Sequence, residues 1–152
     1  LFRSQHKRKF WTGGSIAERP PAEKILFGLE LYCYIAEQFL KGGPAPDTAR
    51  LSREFSVIEE DIDSFLQLYL DKGFIHIIQE EPEGCIPARP LNRLPVKDLI
   101  TALHGPTVPN PQAKEKLRKV LYKFNQAGYS ALEGIMVEDL LQIQEKQLNQ
   151  EK

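Results

Sequence analysis

The sequence predicts an α+β fold, a winged helix-turn-helix with additional C-terminal helices. Three observations between Asp47 and Pro90 predict it. A short amphipathic segment with an acidic N-cap candidate is followed, after a tight turn, by a longer segment whose apolar residues share one helical face. Gly73 then ends the second helix, as a glycine just beyond a helix end does. Two short apolar runs flank a polar turn, which is the pattern of a β-hairpin.

The elements of this unit follow a first helix, whose apolar residues recur at helical spacing until a Gly-Gly-Pro stop. The predicted helices run from Ala22 to Leu40, from Asp47 to Phe55 and from Ile58 to Lys72, and the predicted strands run from Phe74 to Ile78 and from Cys85 to Pro87.

Three more helices are predicted after the wing. They run from Pro95 to Leu103, from Gln112 to Ala127 with Gly128 as the stop, and from Val137 to Leu148. The segments 94–100 and 135–141 share a helix-start pattern with an acid in the first turn. We interpret this similarity as common capping chemistry and not as an internal repeat.

Length and composition bound the function. The 152 residues are 41% hydrophobic and 27% charged, which is ordinary for one globular domain. The formal net charge of −1 is mild evidence against a dedicated nucleic-acid binder, which is usually basic. No apolar run approaches the length of a membrane span, and no signal peptide is recognisable. Cys33 and Cys85 are the two cysteines and form no CxxC motif, so a reducing compartment is expected.

The first twenty residues differ from the rest. Four cations and no acid occur in the first ten positions, followed by a Phe-Trp pair, glycines and prolines; the cations are Arg3, Lys7, Arg8 and Lys9. One interpretation is a solvated, flexible tail. The other is a juxtamembrane segment, because basic residues beside aromatic ones are typical of the cytoplasmic side of a membrane. Residue 1 is Leu and not Met, which suggests a fragment of a longer protein.

The residues that could bind a metal ion or act in catalysis are scattered along the chain. His6, His76 and His104 fall in the tail, a strand and a helix end, so no metal site is expected. His76 alternates with apolar neighbours and is expected to face solvent. Cys33 lies in an apolar stripe, where a small buried hydrophobe is expected instead of a reactive thiol. We expect no enzyme activity, no cofactor and no identifiable small-molecule ligand.

The order of elements resembles the winged-helix repressors of the IscR, CymR and NsrR type. The resemblance covers about three quarters of the chain. It is carried by the Tyr-rich first helix, Leu51 to Phe55, Phe65 to Phe74, Ala88 to Pro90, Val96 to Gly105, and Val137 to Leu140. It implies DNA binding by the second helix of the motif, and a dimer held by the long late helix.

The chain departs from that pattern at the surface that would meet DNA. Residues 56–85 contain eight acids and one base, a net charge of −7. Phosphate contacts need Lys and Arg, so duplex DNA is not expected to bind. The cysteines that hold an iron–sulfur cluster in some of these repressors are missing after the post-wing helix. The second helix of the motif, Ile58 to Lys72, is the recognition helix. We interpret the acids of this helix and of the wing as an interaction surface, made of Glu59, Glu60, Asp61, Asp63, Glu80, Glu81 and Glu83.

A second resemblance is to the cytoplasmic C-terminal extension of YihY (ribonuclease BN-like) inner-membrane proteins. Pro87-Ala88-Arg89-Pro90-Leu91 is similar to a segment that follows a degenerate winged helix in some of them. The resemblance implies a non-catalytic accessory or regulatory domain on the cytoplasmic side of the inner membrane, with the rest of a membrane protein upstream. The alternative is a DNA-binding transcription regulator. The chain then divides into a basic segment (1–20), a winged-helix domain (21–105) and a helical extension (106–152), whose helices 112–127 and 137–148 are expected to hold a homodimer.

The long late helix has an apolar side and a basic side. Leu117, Val120, Leu121 and Phe124 are spaced for one face, and we expect Leu117, Leu121 and Phe124 to form the seam of a homodimer. The basic residues are Lys114, Lys116, Arg118, Lys119 and Lys123. They are either an exposed face beside that seam or a phosphate- or lipid-facing surface.

Overall fold

The computed structural model describes residues 15–105 and 110–141. Two single 3-10 turns, Ile16–Glu18 and Leu91–Arg93, accompany the longer elements, and residues 137–141 are also helical. The helices are α1 (Pro21–Leu40), α2 (Thr48–Phe55), α3 (Glu59–Asp71), α4 (Val96–His104) and α5 (Glu115–Ala131), and the strands are β1 (Ile75–Ile78) and β2 (Gly84–Pro87).

The helix-turn-helix is formed by α2 and α3, with local chemistry that the sequence predicts. Asp47 caps α2, because its side chain accepts a hydrogen bond from the backbone N–H of Arg50 at 2.7 Å. Ser56 ends α2 in the left-handed region with φ of 55°. The Ser52 hydroxyl donates to the Val57 carbonyl at 2.6 Å and closes the turn. Gly73, with φ of 71°, ends α3 as predicted.

The wing is an antiparallel pair in which Ile75 lies opposite Pro87 and Ile78 opposite Gly84. Its base is fixed to the loop before α2, since the Cys85 N–H donates to the Pro46 carbonyl at 3.0 Å. Gly84 is required there by space: a Cβ at this position would lie 2.2 Å from the Ala45 carbonyl oxygen. The base of the wing therefore sits against the loop before α2 and does not project freely.

The core is aromatic and centred on α1. Phe27 and Tyr32 are fully buried, and both make edge-on ring contacts, with Phe55 and Tyr69 respectively. The two buried phenols are satisfied by backbone carbonyls: Tyr32 donates to Phe74 at 2.8 Å, and Tyr69 donates to Gly28. Full burial of such a side chain contributes about 1.5–3 kcal/mol. These contacts hold α1, α3 and the start of the wing together.

The segment just before α1 is packed, although the sequence assigned it to a flexible stretch. Ile16 is 1% exposed and belongs to the main core, and Ser15 caps the 3-10 turn that it begins. The expectation of flexibility is therefore wrong for residues 15–19. One apolar residue among Gly, Ser and Pro gives no periodicity that could predict burial. The basic residues Arg3, Lys7, Arg8 and Lys9 lie outside the described residues.

The C-terminal part returns to the core beside α4. The Val96 N–H donates to the Ile135 carbonyl, and the Val137 N–H donates to the Leu94 carbonyl, both at 2.9 Å. Pro95 and Met136 form an antiparallel bridge at this point. The two segments with the shared helix-start pattern thus pair with each other, and Val137 is fully buried. Residues 135–141 therefore pack on the domain that the sequence bounds at residue 105. Val137 and Leu141 are buried in the core of their own chain, so this part of the helix predicted to hold a dimer does not offer them to a partner.

Helix α5 is longer than predicted at one end. The sequence predicts a stop at Gly128, but the helix continues through it to Ala131. A glycine inside a helix lowers helix stability by about 0.5–1 kcal/mol relative to alanine. This loss is too small to end a helix when the residues on both sides of the glycine remain helical. The last predicted helix begins at Val137 as expected, and its part after Leu141 lies outside the described residues.

Candidate functional site

The acidic surface of α3 and the wing is largely open to solvent. On α3, Glu59, Glu60 and Asp63 are exposed. At the wing tip, the side chains of Glu80, Glu81 and Glu83 are exposed. Three acids in the first turn of a helix also suit the positive end of its dipole, which explains why they do not destabilise α3.

Asp61 plays a structural role that sequence reasoning missed. Its carboxylate accepts hydrogen bonds from the Ser15 hydroxyl at 3.0 and 3.1 Å and from the Ile16 N–H at 2.9 Å. The carboxylate therefore joins the segment before α1 to the first turn of α3. The sequence signal was weak, because an acid in a first helical turn is common and its partner lies 46 positions away.

Asp63 is also engaged, although it is exposed. It accepts a hydrogen bond from the Thr48 hydroxyl at 2.8 Å, which links α3 to the start of α2. Of the predicted interaction residues on α3, Glu59 and Glu60 have exposed carboxylates without such a link among the described residues.

Two of the arginines nearest to this surface are used in packing. Arg50 donates to the Pro44 carbonyl at 3.1 Å and to the Gln38 side chain at 3.0 Å. Arg89 lies over the Phe74 ring at 5.0 Å and donates to the Lys72 carbonyl at 3.2 Å. Neither guanidinium group forms an ion pair with an acid of α3 or the wing among the described residues, so direct contact with either arginine does not offset the negative charge of these carboxylates.

Helix α5 exposes the predicted seam. None of its residues is buried. Leu117 is 64% exposed, Leu121 57% and Phe124 75%. Because Leu117, Leu121 and Phe124 are four and three positions apart, they lie on one side of the helix. Soluble chains rarely leave such an apolar face open to water, which indicates an unfilled contact surface.

The two thiols lie in positions that suppress reactivity. Cys33 and Cys85 are both buried, and burial raises the pKa of each thiol to about 12. The Cys85 thiol donates to the Pro46 carbonyl at 3.3 Å. His76 is exposed on the wing, as predicted. Within residues 15–105 and 110–141, no cluster of three metal-binding side chains occurs, and no helix could cross a membrane.

Solved structures resemble this fold, whereas no protein-family model and no curated protein matches the chain. An IscR from T. potens is 18% identical with a TM-score of 0.64, and the match covers 90% of this chain and 91% of that one. CymR (YrzC), the global cysteine regulator of B. subtilis, is 17% identical with a TM-score of 0.58, covering 77% and 92%. The chain has a winged-helix fold. The predicted fold class is therefore confirmed.

A third structure, a putative transcriptional regulator from Listeria innocua, is 16% identical with a TM-score of 0.59 and covers 78% of this chain and 83% of its own. At identities this low the similarity establishes the fold, and the chemistry of the surface must decide the function.

Proposed function

We propose that this chain is a non-catalytic winged-helix domain that works by protein contact as a homodimer and does not bind duplex DNA. The observation that carries the proposal is the charge of the surface that a winged helix normally presents to DNA. Residues 56–85 have a net charge of −7, and the α3 residues that would enter the major groove begin with Glu59 and Glu60.

Phosphate contacts supply most of the affinity of a DNA-binding protein and require cations at the interface. Here the acids of the first turn of α3 would pass closest to the phosphate backbone. The packing of Arg50 and Arg89 against the protein leaves Arg53 as the exposed arginine of α2. A carboxylate can accept from cytosine, but only where neighbouring cations hold the protein in place.

The dimer is supported by the exposed side of α5. Leu117, Leu121 and Phe124 together present three large apolar side chains with more than half of each exposed. A symmetric pairing of two α5 helices would bury this face against an identical one. We propose this seam as the contact through which the domain acts.

The membrane placement is the finer part of the proposal. We propose that the domain is the cytoplasmic part of an inner-membrane protein of the YihY type, which rests on the resemblance of Pro87 to Leu91. Protease added to spheroplasts and to inverted membrane vesicles tests it on the full-length protein. Digestion of the domain only in inverted vesicles supports the placement, and recovery of the intact protein in the soluble fraction contradicts it.

Retention on random-sequence duplex DNA at low salt tests the main proposal. We expect no retention at about 10 μM protein, whereas non-specific binders reach dissociation constants of about 10⁻⁴ to 10⁻⁶ M even at physiological salt. Binding tighter than about 1 μM would overturn the proposal. The charge-reversed variant Glu59→Lys with Glu60→Lys is the matched control, and weak, salt-sensitive retention of that variant would show that charge decides the result.

The second candidate is a DNA-binding transcription regulator. The similarity of the fold to IscR and CymR favours it. The same retention assay separates the two candidates, because a regulator must bind duplex DNA with its native α3 and wing.

A further inference from the structure

One side of α5 carries a row of lysines. Lys116, Lys119 and Lys123 are spaced at i, i+3 and i+7, so their side chains share one side of the helix. All three are exposed. The stretch 116–132 contains four cations and no acid. We call these three residues the lysine row.

The lysine row is poorly neutralised. Lys119 pairs with Glu115 at 2.9 Å, but both side chains are about 70% exposed, so water and salt screen this pair. Among the described residues, Lys116 and Lys123 have no ion-pair partner. The row therefore offers positive charge to an outside partner.

The lysine row and the apolar seam point in different directions. At about 100° per residue, the row lies roughly 130° around the helix from Leu117, Leu121 and Phe124. Tyr122 lies about 60° beyond Lys119, away from the seam, and is 65% exposed, whereas Val120 lies midway between the row and the seam. A dimer joined through the seam thus leaves the lysines and Tyr122 facing outward.

We propose that the lysine row of α5 docks on an anionic lipid surface. Ammonium groups attract lipid phosphates, while the exposed ring of Tyr122 beside them can enter the headgroup region. Duplex nucleic acid explains the row less well, because its phosphate backbone offers no apolar phase for this ring. The inference rests on the proposed function in one respect, since the dimer covers the large apolar face, which would otherwise compete with the row for the lipid surface.

The test is co-sedimentation of the full chain with vesicles of phosphatidylcholine containing about 30% phosphatidylglycerol, with pure phosphatidylcholine as the neutral surface. The test variant is Lys116→Gln with Lys123→Gln. The matched control is Lys41→Gln with Lys72→Gln, which removes two exposed lysines elsewhere and gives the same net charge. We expect the wild type and the control to bind anionic vesicles similarly, and the test variant to bind about 30-fold more weakly.

Three results would overturn the inference: no binding of the wild type to anionic vesicles, equal losses in both double variants, or row-dependent binding to an oligonucleotide instead of vesicles. Sedimentation velocity without vesicles separates the inference from the proposed function. A dimer that ignores vesicles overturns the inference alone. A monomer that binds vesicles through the row supports the inference and overturns the proposed dimer.

Discussion

The Asp61 carboxylate is the acceptor that fastens Ser15 to the recognition helix, with hydroxyl-to-carboxylate distances of 3.0 and 3.1 Å. The neighbouring Ile16 N–H donates to the same group at 2.9 Å, and its side chain is buried. The position of the chain that enters the domain is thereby coupled to the first turn of α3.

Replacing Asp61 by Ala is expected to lower the free energy of unfolding by about 1–2 kcal/mol, because two donors of a partly buried site lose a charged acceptor. Urea denaturation measures this loss, and hydrogen exchange should show earlier exchange at residues 16–19. Asp63→Ala is the matched control on the same helix, with an expected loss of about 0.5 kcal/mol or less. Equal losses in the two variants would contradict the special role of Asp61.

Leu121→Glu is expected to weaken the dimer about 30-fold or more, since it places a charge in the centre of an apolar seam. Sedimentation equilibrium at several protein concentrations measures the change. Gln126→Glu is the control, because it adds the same charge on the other side of α5. The helical circular dichroism signal should persist in both variants. A wild-type chain that stays monomeric at tens of micromolar would contradict the proposed dimer.

Gly84→Ala is expected to destabilise the domain by about 1–3 kcal/mol, because its Cβ would overlap the Ala45 carbonyl and push β2 away from the loop before α2. Thermal unfolding provides the measurement. Gly43→Ala, in the same loop region, meets its nearest neighbour at 3.6 Å and serves as the control. It should be neutral or slightly stabilising, since alanine restricts the unfolded chain. A wild-type melting temperature for Gly84→Ala would show that the wing base can shift freely.

Alkaline pH is expected to destabilise the fold. The folded chain keeps the protons of Cys33 and Cys85 up to about pH 12, whereas in the unfolded chain these thiols have their ordinary pKa near 9. Stability is therefore fully present below about pH 9 and falls as the pH rises from there toward about 12. Cys85→Ala should reduce the slope of unfolding free energy against pH by about one proton. An unchanged slope would show that the pKa of the Cys85 thiol does not differ between the folded and the unfolded chain.

The sequence was sufficient for the fold because the relevant signals are local. The Asp47 cap, the Gly73 stop and the apolar spacing of α1 and α3 each act within a few residues, and all were confirmed. The predicted helix end at Gly128 is wrong, because a single glycine does not show whether the residues around it stabilise the helix enough for it to continue.

The site was predictable only in part, since its contacts join distant positions. The position of Leu121 and Phe124 on one side of α5 follows from their spacing, but the bond between Asp61 and Ser15 spans 46 positions and has no periodic signature. The pairing of Leu94 and Val96 with Ile135 and Val137 was likewise hidden. The helix-start pattern that the two segments share predicts capping, and capping is present as well, because the Asp139 side chain accepts a hydrogen bond from the Met136 N–H at 2.8 Å.

The wing contains features that bear on aggregation of this protein at high concentration. Within the described residues it is a two-stranded sheet, so β1 has one edge without a neighbouring strand, whereas β2 is partly covered by the hydrogen bond from Cys85 to Pro46. Ile75, Ile77 and Ile78 give β1 the composition of an aggregation-prone segment, and Ile77 is 47% exposed. The acidic tip and its proline oppose edge-to-edge pairing by charge repulsion and by the loss of a backbone donor. The wing-tip carboxylates, which we propose repel DNA, therefore also act as gatekeepers against intermolecular strand addition.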